Sequence, residues 1–182
     1  LNLENNVALI TYTKNNQEQL KENIIKKFGY YPNNIHVFGL FEFLYNFCYR
    51  PLQNKYPITG ICFDHPSPYL KGFHHKDGRI YSNQISRLLL AEKINYLTRI
   101  ERFFDYFYID EVQDIAADDF DWLMSLKDLK IPVTLVGDFY QSTFVSSRRG
   151  NKGKAIYSSI ENYKNQFDQN GFQFEESKLI AS

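Results

Sequence analysis

The sequence has little of several things, and each shortage excludes a class of protein. Of its 182 residues two are cysteine, Cys48 and Cys62. No disulfide framework can be built from them, and they read as free buried thiols of a reducing compartment. Cys62 is followed by His65, His74 and His75, but a zinc site usually draws on two tight ligand pairs, and one cysteine supplies half of one; zinc is set aside. No apolar run approaches the roughly 20 residues that span a bilayer. No charged n-region followed by an apolar stretch opens the chain, so no signal peptide is expected and the cytoplasm is the expected location. Net charge is missing as well: 21 Lys and Arg balance 21 Asp and Glu. That excludes a uniformly basic coat whose affinity comes from neutralising phosphates, while a local nucleic-acid track stays open. Methionine occurs once, as Met124, and the first residue is Leu1, so a fragment or a processed product is expected.

Apolar and aromatic residues are plentiful. A hydrophobic content of 43% with 23% charged residues excludes intrinsic disorder, and a chain of this length can bury a real core. Val7 to Thr13 is a continuous β-favouring run of the kind buried on both faces of a parallel sheet. Gln17 to Phe28 reads as a helix with Leu20, Ile24, Ile25 and Phe28 on its buried stripe and Gly29 as its stop. Residues 35–38 form a second strand, and a helix follows with Leu40, Phe41, Leu44, Phe47 and Cys48 inward. The stretch 51–78 is proline-rich and irregular. Asn83 to Phe104 is helical in two pieces, 106–109 a third strand, Phe120 to Leu129 a helix, and 133–136 a fourth strand. Ile156, Ile160, Tyr163 and Phe167 share one helix face, and Lys178-Leu179-Ile180 reads as the start of a last strand. Solid apolar strands alternating with helices predict an α/β domain with a parallel sheet, whose chemistry sits at the carboxyl ends of the strands.

Asp110-Glu111 closes the third strand. Adjacent carboxylates at the end of a buried strand repel one another and cost desolvation unless a cation joins them. Magnesium on a nucleotide suits the position, because it accepts one or two protein carboxylates and leaves its other positions to water and phosphate. The neighbouring carboxylate can then face an attacking water as general base. The plainer alternative is a helix start with acids in its first turn. The fourth strand ends Gly137-Asp138-Phe139-Tyr140-Gln141: either a turn that places an amide beside a phosphate, or an ordinary strand-to-loop turn. Asp118, Asp119 and Asp121 read as a solvated helix start. Arg148 to Lys154 holds Arg148, Arg149, Lys152 and Lys154 without an acid, and suits either a phosphate track or a solvated loop.

With those residues in view, the sequence resembles the UvrD/Rep-like superfamily 1 DNA helicases. IDEVQD (Ile109 to Asp114) resembles their motif II, GDFYQSTF (Gly137 to Phe144) their motif III, LITYTKNNQEQ (Leu9 to Gln19) their motif Ia, and 37–41 weakly their motif Ib. The resemblance implies a RecA-like P-loop NTPase sheet flanked by helices, with motifs Ia and Ib in 1–50, an irregular and helical insertion over 51–100, and motifs II and III in 101–182. It implies ATP and Mg2+ as cofactors and single-stranded DNA as partner. Asp110 would hold the magnesium, Glu111 polarise the hydrolytic water, and Gln141 sense the γ-phosphate. Thr11, Tyr12, Thr13, Phe38, Phe144, Arg148 and Arg149 would face DNA. Stacking of a base on Tyr12 or Phe144 would contribute about 1–3 kcal/mol whatever the sequence; in a chain with 17% aromatics the plainer alternative for both is core packing. Lys14-Asn15 stands where the family has Asn-Lys, and the Trp that follows motif III is replaced by Val145-Ser146-Ser147.

The Walker A loop Gly-x-x-x-x-Gly-Lys-Ser/Thr, which cradles phosphates with backbone amides and a lysine, occurs nowhere. Gly150-Asn151-Lys152-Gly153-Lys154 has the wrong glycine spacing and follows no buried strand. The expected partners therefore include a Walker A segment and a second RecA-like domain outside these residues, and the chain alone is expected to be inactive. Two other readings remain: a non-motor DNA- or protein-binding module that keeps the fold, and a metal-dependent nuclease using Asp110, Glu111 and Asp138.

Overall fold

The computed structural model describes residues 4–53, 57–64, 72–141 and 154–175. The predicted parallel α/β sheet flanked by helices is present. Strands β1 (Val7–Thr11), β2 (Ile35–Gly39), β5 (Tyr106–Ile109) and β6 (Val133–Leu135) form one sheet in the order β2-β1-β5-β6, every pair parallel. Helix α1 (Lys14–Phe28) carries the chain from β1 to β2, and α5 (Ala117–Ser125) from β5 to β6. These crossovers advance in opposite directions along the sheet. Since parallel crossovers are right-handed, the two helices must lie on opposite faces.

The two faces are covered unequally. Register places Ala8 beside Phe107 and Ile10 beside Ile109, with Phe38 and Leu135 outward in the same row. Ala8, Ile10, Phe107 and Ile109 are buried and belong to the main core. They pack under the segment after β2, where α2 (Leu40–Glu42) runs into a π-helix, Phe43–Tyr49. The wider π turn, closed by Arg50 N donating to Tyr45 O at 2.8 Å, stacks Phe43 on Phe47 with centroids 5.0 Å apart. It also seats Phe43 against Phe38, Phe107 and Trp122. Helices α3 (Ile85–Ala91) and α4 (Tyr96–Phe103) complete this layer, and Ile85, Leu88, Leu89, Tyr96 and Ile100 all belong to the core. On the opposite face α1 lies against β1 and β2. The stripe expected to be buried reaches only partial burial there: Leu20, Ile24 and Phe28 are half-buried, and Ile25 is 45% exposed. Among the described α-helices α1 is the one without a fully buried residue.

Strands β3 (Ile61–Cys62) and β4 (Ile80–Tyr81), too short to show a period, pair in the stretch read as irregular. Helix α6 (Ile160–Gln169) buries Tyr163 and Phe167 as its spacing predicts, with Ser159 capping its start. The strand expected at 178–180 lies outside the described residues.

The acidic run corrects one expectation. Asp118 and Asp119 are not solvated: they are 2% and 0% exposed. They occupy the first turn of α5, where the helix dipole favours negative charge, and α5 packs on α3 so that Ser86 Oγ donates to Asp119 Oδ1 at 2.6 Å. Asp121 is exposed, as expected.

Candidate functional site

The sheet brings the ends of β1, β5 and β6 side by side. Asp110 N donates to Ile10 O at 2.8 Å, and Val136 N to Ile109 O at 2.8 Å, so the two outgoing chains stay in register past the last strand residues. Asp110 and Glu111 leave the end of β5 half-buried. Burial pushes the Asp110 carboxyl above its ordinary range; the Glu111 N–H, donating to Asp110 Oδ1 at 3.0 Å, opposes that, and the Glu111 charge adds to it. Paired, partly desolvated carboxylates of this kind favour binding of a hard cation, and their all-oxygen donor set fits magnesium.

Glu111 sits in the left-handed region, φ 57° and ψ 41°, a conformation that costs a non-glycine residue about 1–2 kcal/mol. Such strain persists where the surroundings impose it, and here they do. Asp114 N donates to Glu111 O at 3.0 Å and Val112 N to Val136 O at 3.0 Å. The Glu111 carboxylate is held from two sides: Gln113 Nε2 donates to Oε2, and Asn16 Nδ2, from the first turn of α1, donates to Oε1 at 3.4 Å. Gln113 Oε1 in turn accepts Asp138 N at 3.0 Å, and Asp138 Oδ1 accepts Tyr140 N at 2.9 Å, closing the turn into the short 3-10 helix Phe139–Gln141. The segments resembling motifs II and III are thus joined through one glutamine.

Gly137 makes that junction possible. A Cβ there would lie 2.4 Å from Gln113 Oε1, 2.8 Å from Val112 Cγ2 and 3.2 Å from Val112 N. No other residue lets the turn approach the glutamine amide so closely.

The remaining candidates are placed as follows. Thr11 is buried, and its Oγ1 has no hydrogen-bond partner among the described residues. Tyr12 is half-buried, edge-on to Phe41 with centroids 5.8 Å apart. Thr13 caps α1, its hydroxyl accepting Asn16 N at 3.2 Å. Phe38 is half-buried among Phe43, Phe47 and Phe104. The Gln141 side chain, Phe144, Arg148 and Arg149 lie outside the described residues, as does His65. Among the described residues no group of three or more His, Cys, Asp or Glu side chains is placed to hold a metal. Cys62 Sγ donates to Asp64 Oδ2 at 3.4 Å, and His75 Nδ1 lies 2.8 Å from Asp77 Oδ1. Among the described residues no helix is long and apolar enough to cross a membrane.

Two side chains that sequence reasoning gave no role stand at the centre of this network. Gln113 lies inside the quoted Ile109–Asp114 segment, so a signal was present. Asn16 is 95 residues from Glu111 in the chain, and nothing in its local sequence announces the contact.

No family model and no curated protein matches the chain. Among solved structures, the crystal structure of Bacteroides sp. Pif1 in complex with ADP-AlF4 aligns with 86% of this chain at 16% identity and a TM-score of 0.23. The alignment spans 33% of that neighbour's length. A TM-score this low does not define a common fold, and the α/β assignment stands on the sheet itself.

Proposed function

We propose that this chain is part of the ATPase motor domain of an ATP-dependent helicase or translocase acting on single-stranded DNA, with motifs Ia and Ib in 1–50 and motifs II and III in 101–182 flanking the inserted stretch 51–100. One observation carries the reading. Asp110 and Glu111 stand at the carboxyl end of an interior parallel strand, Asp110 with its carboxyl pushed up by burial, and Glu111 fixed in a strained conformation against the Gly137–Asp138 turn. In open α/β sheets ligands bind in that crevice.

Under this reading Asp110 would hold the magnesium of a bound nucleotide, which supplies charge neutralisation for the phosphates. Glu111 orients a water and takes its proton; its two tethered oxygens fix the direction from which that water is addressed. Tyr12 follows the end of β1, where it suits a nucleic-acid path at the carboxyl end of the sheet; Phe38, packed among Phe43, Phe47 and Phe104, enters the proposal on the sequence resemblance alone. Gln141, Phe144, Arg148 and Arg149 extend the proposal on the sequence resemblance alone. The phosphate-cradling loop must come from residues other than these 182, so catalysis needs the rest of the motor.

The test is magnesium-dependent ATP hydrolysis by the full-length protein with and without single-stranded DNA. Glu111→Gln should lower turnover at least about 100-fold, the lower range for a general base. Wild-type protein that binds DNA without any ATP turnover would instead favour a non-motor binding module with the same fold.

A further inference from the structure

We propose that Gln113 is a positioning residue that makes the orientation of the Glu111 carboxylate depend on the placement of the Gly137–Asp138 turn. The proposal rests on the nucleotide-site reading for its catalytic meaning, while the coupling itself is a property of this chain.

The geometry is that of a two-way clamp. The Gln113 side chain is 2% exposed, so water does not compete for its bonds. Its amide nitrogen donates to Glu111 Oε2 and its amide oxygen accepts Asp138 N at 3.0 Å. A carboxamide donates at one end and accepts at the other. A carboxylate at 113 keeps the acceptor and loses the donor; methionine loses both at similar volume. The Gly137 backbone closes on the same amide, since a Cβ would lie 2.4 Å from Gln113 Oε1. A displacement of the turn is therefore passed to the glutamine, and through it to Glu111. The turn leads directly to Gln141, so whatever moves Phe139–Gln141 reaches Glu111 by this route. Asn16 holds the other carboxylate oxygen at 3.4 Å, the longer of the two tethers, so Gln113 sets the orientation and Asn16 limits it.

Two sets of measurements decide it. In NMR spectra of this chain, a coupling across the hydrogen bond from Asp138 N to the Gln113 carboxamide should be visible in the unsubstituted protein. Gly137→Ala, which removes no polar group, should shift the Gln113 side-chain amide and the Glu111 Cδ resonances and speed Asp138 amide exchange about tenfold or more. Gln113→Glu should move the Glu111 Cδ signal while Asp138 stays protected; Gln113→Met should release both. Adding Gly137→Ala to Gln113→Met should move Glu111 no further, the non-additivity expected of a shared route. Absence of the coupling, an unmoved Glu111 signal in Gly137→Ala, or additive shifts in the double variant overturns the proposal. In the full-length protein, Gln113→Met, which adds no charge beside Glu111, should lower kcat about 100-fold, as expected for a catalytic group misplaced by about 1 Å, with KM unchanged. Unchanged kcat in an active enzyme also overturns it. Wild-type protein without magnesium-dependent turnover overturns the nucleotide reading alone, and the clamp is then judged on the spectra.

Discussion

Replacing Ser86 by Ala removes the donor that meets a carboxylate with no access to water. Ser86 is 1% exposed and Asp119 0%, and their oxygens lie 2.6 Å apart, a short charge-assisted contact. Alanine leaves a gap too small to admit a substitute donor, so the carboxylate loses one bond and gains nothing. Hydrogen bonds to charged groups contribute about 1.5–3 kcal/mol. For chains of about 150–250 residues each kcal/mol moves Tm by about 2–4 °C. The expected drop at pH 7 is therefore about 3–12 °C, read by calorimetry or circular dichroism. The same substitution in an Asp119→Asn background should cost about half as much, because the acceptor there is neutral. A drop below about 1 °C, or an equal loss in both backgrounds, would refute the idea that the α3–α5 contact is organised around this buried acid.

Two further substitutions probe the site and the fold separately. Asp110 has its carboxyl raised by burial; an acid raised in the folded state stabilises the fold fully only below its unfolded value, about 4, and loses that contribution as pH rises through the raised value. Asp110→Asn, neutral throughout and still able to accept from Glu111 N, should melt above wild type at pH 7 and show no advantage near pH 3; equal melting at pH 7 sinks the argument. Gly29 ends α1 at φ 78° with open space around it, so Gly29→Ala should lower stability by about 1 kcal/mol through backbone strain alone, read as a Tm about 2–4 °C lower.

The sheet was legible because its four strands are runs dominated by β-favouring apolar and aromatic residues. β1 stops at Thr11 rather than 13 because Thr13 is recruited to cap α1, a choice that a hydrophobicity pattern cannot register. The π-helix was invisible for a similar reason: Leu40, Phe41, Leu44, Phe47 and Cys48 satisfy the ordinary helical period, and the wider turn that seats Phe43 against Phe107 and Trp122 depends on residues distant in the chain. A run of Asp reads as solvent-facing, and the first two acids of α5 are buried instead because Ser86 arrives from a distant helix. At the site, Asp110 and Glu111 declared themselves as adjacent charges after a buried strand. The strained φ of Glu111, the bridge through Gln113 and the contact from Asn16 depend on three chain segments meeting, and no single segment encodes that.

The unequal covering of the sheet has a dynamic consequence. A helix without a fully buried residue is expected to separate from its sheet at a cost well below that of global unfolding, which assigns α1 to the low-stability end of the molecule as a prediction. Its first turn carries Asn16, which touches the Glu111 carboxylate. Transient opening of α1 would free one side of that carboxylate while the deeply packed layer beneath β5 stays closed, and faster exchange of the α1 amides than of the β5 amides is the expected sign of it.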